Sequence, residues 1–384
     1  MNGGKSLIRV LVVGHSYVVG INQAKLAAIA RTDRVRVGLL VPSFWKSAEL
    51  GLEFPLERPF PDIPVWSGPV PFAGRAGAYF YPPHLLYRAF ARFRPHLVHV
   101  EQECFSLSAF QLALCSLLAR VPLSLFCWRD LDRPLGPPRR WTRRLVLRRA
   151  ALMVAGNRDA AALLRRWGYR GRLAVSPQFG VDKVLSGLPP SSPHGNCLTV
   201  GFAGRLVPEK GVDVLLQALA RVRGRGLPLR AVIVGGGPEE PALRALAHAL
   251  GLGDAVDWVG PVRPEEVAAH MGRLDVLVLP SRTVPTRKEQ FGRVLIEAMA
   301  LGVAVVGSSS GAIPEVIGRP DLIFPEGDAE ALAGLLERLA TDPAWRAEVR
   351  AYGLDRVREN FTMEAVARKL VSLWEEVLEA PEGG

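Results

Sequence analysis

What the chain lacks narrows its class. Within its 384 residues the longest apolar runs are strand-length, well short of the ~20 apolar residues a transmembrane helix needs. The opening MNGGKSLIRVLVVG runs directly into a strand, without the apolar core and cleavage site of a secretion signal, so the expectation is a cytoplasmic chain. Its four cysteines, Cys104, Cys115, Cys127 and Cys197, are scattered with neither metal-ligand spacing nor a disulfide framework. A G-x-G-x-x-G dinucleotide fingerprint is missing; VGGGPE (234–239) comes nearest, after a strand and before a helix. Acid is absent where base is dense: residues 133–149 hold seven arginines and no carboxylate.

The net charge of +11 is unevenly placed. Residues 1–190 carry 27 Lys and Arg against 11 Asp and Glu, and the remainder 21 against 26. All excess positive charge therefore belongs to the first half. The stretch at 138–150 reads as a basic helix that also holds Trp141, Leu145, Val146 and Leu147. Such a helix is either a solvated face in an arginine-rich chain or a surface for anionic membrane, and the one-sided charge favours the membrane. Nucleic acid is a poorer match, because no binding module and no interleaving of aromatic with basic residues accompanies the charge.

Strand and helix signals alternate along the chain. IRVLVVG (8–14), RVRVGLLVP (34–42), HLVHVE (96–101), LSLFCW (123–128), ALMVAGN (151–157) and LAVSPQF (173–179) read as strands, with helices over 22–30, 83–93 and 107–119. Residues 43–78 read as loops or short edge strands. After a Pro/Ser/Gly-rich stretch at 183–197 the alternation restarts and ends in helices over 328–339, 343–358 and 363–379. This pattern predicts an α/β protein of two Rossmann-like, doubly wound domains facing across a cleft. The expected divisions are 1–187, a linker at 188–197, 198–362, and a terminal helix over 363–384.

Two carboxylates, Glu289 and Glu297, bracket EQFGRVLIEAMALG, which follows the buried-strand run LDVLVLP (274–280) and opens a helix. Gly292 permits close backbone approach at the first turn, where free amides attract anions. Taken alone the pair reads as a helix with one acid near its start and another on its solvent face; read as a site, one carboxylate could hold a hydroxylated group ahead of an anion and the other a second such group behind it. That is the order of sugar, diphosphate and ribose in a nucleotide sugar. The run VGFAGRLVPEKGVDVLLQAL (200–219) repeats the grammar of strand, Gly turn, basic residues and helix, with Arg205 and Lys210 between Gly204 and Gly211. Arginine offers bidentate contact to phosphate and lysine a point charge.

FAGRLVPEKG, VIVGGGPE, EQFGRVLIEAMALG and SSGAIPEVI (309–317), in that order, resemble a retaining glycosyltransferase of family 4. The looser N-terminal stretches HSYVVGINQAKLAAIA and PHLVHVEQECFSL resemble the same family. The resemblance implies the GT-B fold, with the last helix returning to the N-terminal domain. It also implies transfer of a hexosyl group from a nucleoside diphosphate sugar to a saccharide or lipid-linked acceptor, in envelope or exopolysaccharide biosynthesis. By the same resemblance Glu289, Arg205 and Lys210 are catalytic. Gly20, Gly204, Gly235, Gly236, Phe291, Gly292, Val294, Leu295 and Glu297 would surround the donor. Many members carry a histidine where this chain has Glu101, so Glu101 or Glu103 is expected to contact acceptor or sugar, with Arg129 lining the same side. His99 is expected to be structural.

Asp130-Leu131-Asp132 spells a metal-binding triplet of another fold, but flanking Arg129 and Arg133 oppose a cation, so no metal and no cofactor are expected. The partners expected are the donor, the acceptor and the inner face of an anionic membrane, with no nucleic acid. A non-catalytic sugar-nucleotide-binding relative and a basic nucleic-acid-binding protein are the alternatives.

Overall fold

The computed structural model describes residues 7–47, 51–181 and 197–380. The chain forms two compact units, one of residues up to Gly180 together with those from Met363, the other of Val181–Thr362. The joint expected over 188–197 lies outside the described residues except for Cys197.

In the first unit the order is β1 (Ile8–Val13), α1 (Ala24–Ala30), β2 (Val35–Pro42), β3 (Phe44–Lys46), β4 (Glu53–Pro55), β5 (Val65–Gly68), α2 (Pro83–Phe93), β6 (Leu97–Glu101), α3 (Leu107–Leu118), β7 (Leu123–Cys127), α4 (Pro137–Arg149), β8 (Ala150–Ala155), α5 (Arg158–Arg166) and β9 (Arg172–Val175). Seven strands form one parallel sheet in the order β5-β2-β1-β6-β7-β8-β9. Val10–Val13 of β1 and Leu39–Val41 of β2 are buried and apolar on both faces, as a sheet covered by helices on each side requires. Residues 43–78 contain the antiparallel β3–β4 hairpin and the edge strand β5.

The second unit contains β10 (Leu198–Ala203), α6 (Val212–Gly224), β11 (Leu229–Val234), α7 (Glu240–Ala249), β12 (Val256–Gly260), α8 (Pro264–Met271), β13 (Val276–Leu279), α9 (Arg293–Ala300), β14 (Ala304–Ser308), α10 (Ile313–Ile317), β15 (Ile323–Phe324), α11 (Ala329–Thr341) and α12 (Pro343–Asn360). Its parallel sheet runs β12-β11-β10-β13-β14-β15. Both sheets are Rossmann-like, and each reverses its winding beside its first strand. Ligands of such sheets bind outside the carboxyl ends of the strands at that reversal. In the second unit the point lies between β10 and β13.

The last helix, α13 (Met363–Glu379), packs on α1 in the first unit. Its apolar stripe, including Met363, Ala367, Leu370, Val371 and Trp374, joins the core beneath β1 and β2. Arg31–Glu364 (3.4 Å) and Arg34–Glu375 ion pairs fringe the contact. No helix among the described residues is long and apolar enough to cross a membrane.

Candidate functional site

The loop after β10 and the loop after β13 meet at the reversal of the second sheet. Their approach is so close that a side chain at Gly211 would put its first carbon 2.1 Å from the Pro280 carbonyl oxygen, and Gly211 itself holds φ of +66°. The Arg282 amide donates to the Glu209 carbonyl at 2.8 Å, and the Arg282 guanidinium pairs with Asp213. Gly211 also precedes α6 and Gly292, with φ of +75°, precedes α9, so two helices begin at this edge. Their N-terminal amides and positive dipole ends favour an anion there.

Lys210 and Glu289 are brought together across these loops, with Nζ to Oε2 at 2.6 Å. Ser281 Oγ donates to the same Glu289 oxygen at 3.0 Å. The Glu289 carbonyl accepts from the Ala312 amide at 2.8 Å, and a first side-chain carbon at Gly311 would stand 2.1 Å from that carbonyl oxygen. Glu289 is thus positioned from the ends of β10, β13 and β14 together. Ser281 and Gly311 were not singled out as site residues from the sequence. Ser281 directly follows the strand run and Gly311 sits in SSGAIPEVI, which were the available signals.

Arg205 is exposed on the loop after β10 and carries no ion pair among the described residues. Glu297 is half-buried on α9 and paired with Arg293 at 2.8 Å. Burial raises the Glu297 carboxyl above its ordinary value, while Arg293 opposes that shift. Phe291 and Val294 flank the start of α9. The Leu295 amide, expected at the donor, already donates to the Gly292 carbonyl at 2.8 Å.

The glycines at 235–237 serve the protein's own packing. A side-chain carbon at Gly235 would come 1.9 Å from the Gly204 carbonyl oxygen, and one at Gly237 2.3 Å from that of Leu206. The Leu206 amide donates to the Gly236 carbonyl at 2.9 Å, continuing the pairing of β10 with β11 beyond their ends. Gly204, Gly235 and Gly236 therefore shape the loop that carries Arg205.

In the first unit, the reversal lies between β1 and β6. The Gly20 amide, expected to meet the donor, is held by the Glu57 carboxylate at 2.5 Å. Glu101, expected as the alternative to Glu103 at the acceptor or sugar, is turned into the interior of the unit. Its side chain is fully buried, paired with Lys25, and accepts from Tyr17 Oη at 2.7 Å and Gln178 Nε2 at 2.8 Å. Burial pushes its carboxyl up, but Lys25 and His99 outweigh this and hold it at about 2. His99 is buried beside it, with Nδ1 3.0 Å from Ser124 Oγ and its ring edge-on to Trp374. The parity of the strand turns both side chains inward toward α1 and α13.

Glu103, two residues past β6, differs. Its Oε1 accepts from the Trp128 and Arg129 amides at 3.2 and 3.0 Å, while Oε2 is buried with no hydrogen-bond partner. Burial raises this carboxyl to about 7 against the lowering effect of those amides and the Arg129 charge. Arg129 lies over the Phe105 ring at 4.7 Å, with its Nη1 buried and unpartnered. His15 packs on Trp45 and Tyr79, and burial lowers it to about 4. Asp132 of the Asp-x-Asp triplet accepts from Trp167 Nε1 at 3.0 Å. Among the described residues no group of three or more His, Cys, Asp or Glu could hold a metal ion.

The family model described as glycosyl transferases group 1 matches residues 191–356, and that of the glycosyl transferase 4-like domain matches residues 22–178. One relative is the GDP-mannose-dependent alpha-(1-6)-phosphatidylinositol monomannoside mannosyltransferase of Mycobacterium tuberculosis. It is 35% identical over 176 residues, covering 45% of this chain and 46% of the relative. Another is the putative colanic acid biosynthesis glycosyltransferase WcaL of Escherichia coli, 32% identical over 235 residues, covering 59% and 57%. The chain spans about half the length of the curated relatives it matches. In three dimensions Anabaena HepE in complex with UDP superposes with a TM-score of 0.70 at 21% identity, over 96% of this chain and 100% of that one.

Proposed function

Because the chain belongs to the group 1 glycosyltransferases of family 4 type, we propose that it transfers a hexosyl group from a nucleoside diphosphate sugar to a hydroxyl. The acceptor is a saccharide or lipid-linked saccharide of envelope or exopolysaccharide assembly, and the anomeric configuration is retained. The observation that carries this reading is the convergence of Lys210, Glu289 and the start of α9 at the β10/β13 reversal, with Arg205 exposed on the same loop as Lys210.

The donor diphosphate would lie against Arg205, Lys210 and the first-turn amides of α9. These cations and dipoles stabilise charge as it develops on the leaving group. Glu289, fixed from three strand ends, orients the sugar through its hydroxyls, and Glu297 accepts from the ribose hydroxyls. The acceptor oxygen bonds to the anomeric carbon as the bond from that carbon to the diphosphate oxygen breaks. The departing phosphate oxygen takes the acceptor proton, so the step needs no separate protein base. Positive charge from Arg205 and Lys210 makes the reading metal-independent. A mannosyltransferase relative that depends on GDP-mannose and a fold neighbour that holds UDP point to different nucleotide bases, which the titration below distinguishes.

Calorimetric titration with UDP, GDP, ADP and their sugar conjugates, with and without EDTA, tests the proposal. EDTA-insensitive binding of one nucleotide, weakened in Arg205→Ala and Glu297→Ala, is expected. No binding of any nucleotide overturns it, and binding without transfer to any acceptor would identify a non-catalytic relative.

A further inference from the structure

Among the described residues, one apolar helix face of the first unit is left uncovered. Helix α3, LSAFQLALCSLL, contains no charged residue, and its sequence would ordinarily be buried all round. Instead Leu114, Leu117 and Leu118 are 45%, 56% and 76% exposed, and Leu107 is 41% exposed. With half-buried Phe110 these residues recur at helical spacing and form one stripe. The opposite positions, Ala109, Leu112, Ala113 and Ser116, are the ones turned into the core.

Helix α4 lies alongside. Phe110 of α3 meets Trp141 of α4 with ring centroids 5.4 Å apart. Eight residues, about two turns, further along α4, Arg149 donates to the carbonyls of Ser116, near the end of α3, and Val121, just beyond it, at 3.3 and 2.8 Å. The two helices therefore run side by side in the same direction, and their outward stripes adjoin. Trp141 is 58% exposed. Arg140, Arg144 and Arg148, spaced by four on α4, are exposed, as are Arg139 and, just past α3, Arg120. Neither helix contains a carboxylate.

We propose that the α3–α4 face docks the protein on an anionic lipid bilayer. Leu114, Leu117, Leu118 and Trp141 enter the headgroup boundary, and the arginines hold phosphate. The charge pattern selects this occupant. A second copy would set arginine against arginine, and nucleic acid would leave the leucine stripe in water. Exposed leucine beside tryptophan and arginine instead suits an interface that is apolar below and anionic above. Arginine stems lie along apolar surface while their heads stay at the phosphate level. The sequence pointed to α4 alone; the leucine stripe of α3 emerges only from the fold. This inference adds to the proposed transfer the surface at which a lipid-linked acceptor would be met, and it is measured separately from donor binding.

The test is sedimentation of the full chain with vesicles of phosphatidylcholine, with and without phosphatidylglycerol, at low and high salt. Binding confined to phosphatidylglycerol vesicles and weakened by salt is expected. The variant Arg140→Ala/Arg144→Ala/Arg148→Ala should partition about a hundredfold more weakly, at roughly fivefold per charge. Leu117→Ser/Leu118→Ser/Trp141→Ser should bind about tenfold or more weakly while melting like the parent chain. Equal binding to both vesicles, no vesicle binding, or parental binding by both variants overturns the proposal. So does a dimer in light scattering that the leucine variant converts to monomer, because the face would then be covered by a second copy. Nucleotide titration of the same samples keeps failure here distinct from failure of the donor site.

Discussion

Lys210 Nζ stands 2.6 Å from Glu289 Oε2, so the cation expected at the diphosphate and the carboxylate expected at the sugar neutralise each other across two loops. The pair is partly buried and Ser281 completes it. Lys210→Ala should therefore weaken nucleotide diphosphate binding by about 10- to 100-fold, the usual scale for a hydrogen bond to a charged group. Glu289→Gln should bind the free nucleotide as well as or better than the parent, yet lose sugar transfer. Calorimetry with nucleoside diphosphate, followed by a transfer assay, separates the two. Equal loss of nucleotide binding in both variants would show that the pair acts only as a structural unit.

Gly235→Ala and Gly226→Ala form a matched comparison. Both glycines have positive φ, but only at Gly235 does added carbon meet backbone, 1.9 Å from the Gly204 oxygen. Gly226→Ala should cost about 1 kcal/mol and leave nucleotide binding intact. Gly235→Ala should cost roughly 2–4 kcal/mol and disturb the Arg205 loop, seen as a lower melting temperature and weaker nucleotide binding. Similar melts for the two variants would remove the packing explanation for the glycine run.

Glu101 should behave as a structural ion. Glu101→Gln leaves the buried Lys25 ammonium uncompensated and should destabilise the protein by about 3–5 kcal/mol at neutral pH. The Glu101 carboxyl is held at about 2, below its ordinary 4.5. Its contribution is therefore present above about 4.5 and lost as the pH falls toward 2. Denaturant melts of parent and variant should accordingly converge on acidification. A variant that melts like the parent at pH 7 but fails to transfer sugar would restore the acceptor role.

Glu103 should show the opposite pH dependence. Its folded carboxyl is raised to about 7, so the folded state is favoured below 4.5 and loses that advantage as pH rises to 7. Relative to the parent, Glu103→Gln should become more stable by about 1–3 kcal/mol between pH 4.5 and 8. Urea melts at the two pH values measure the difference, and a difference independent of pH would count against a raised carboxyl.

Much of the architecture was legible because burial has a local signature. Strands such as Val10–Val13 and Val276–Leu279 are apolar at consecutive positions, and glycines such as Gly14, Gly204 and Gly235 mark where strands give way to turns. The second-unit site was legible for a related reason. Arg205, Lys210 and Glu289 sit between strand ends and helix starts, where a doubly wound sheet exposes polar groups, and Glu297 lies one turn into α9.

The sequence by itself determined the alternation of elements, the two Rossmann-like halves and the strand ends that carry charge. Each follows from interactions between residues close along the chain. Only the tertiary structure decided which charges meet. Lys25 is separated from Glu101 by 76 residues and Ser116 from Arg149 by 33, and no periodicity couples such positions. The same long-range packing turned Glu101 inward and left Glu103 with a buried, unpartnered oxygen, although two positions separate them. It also set the bare face of α3 beside the arginines of α4, because exposure depends on what the rest of the fold fails to cover.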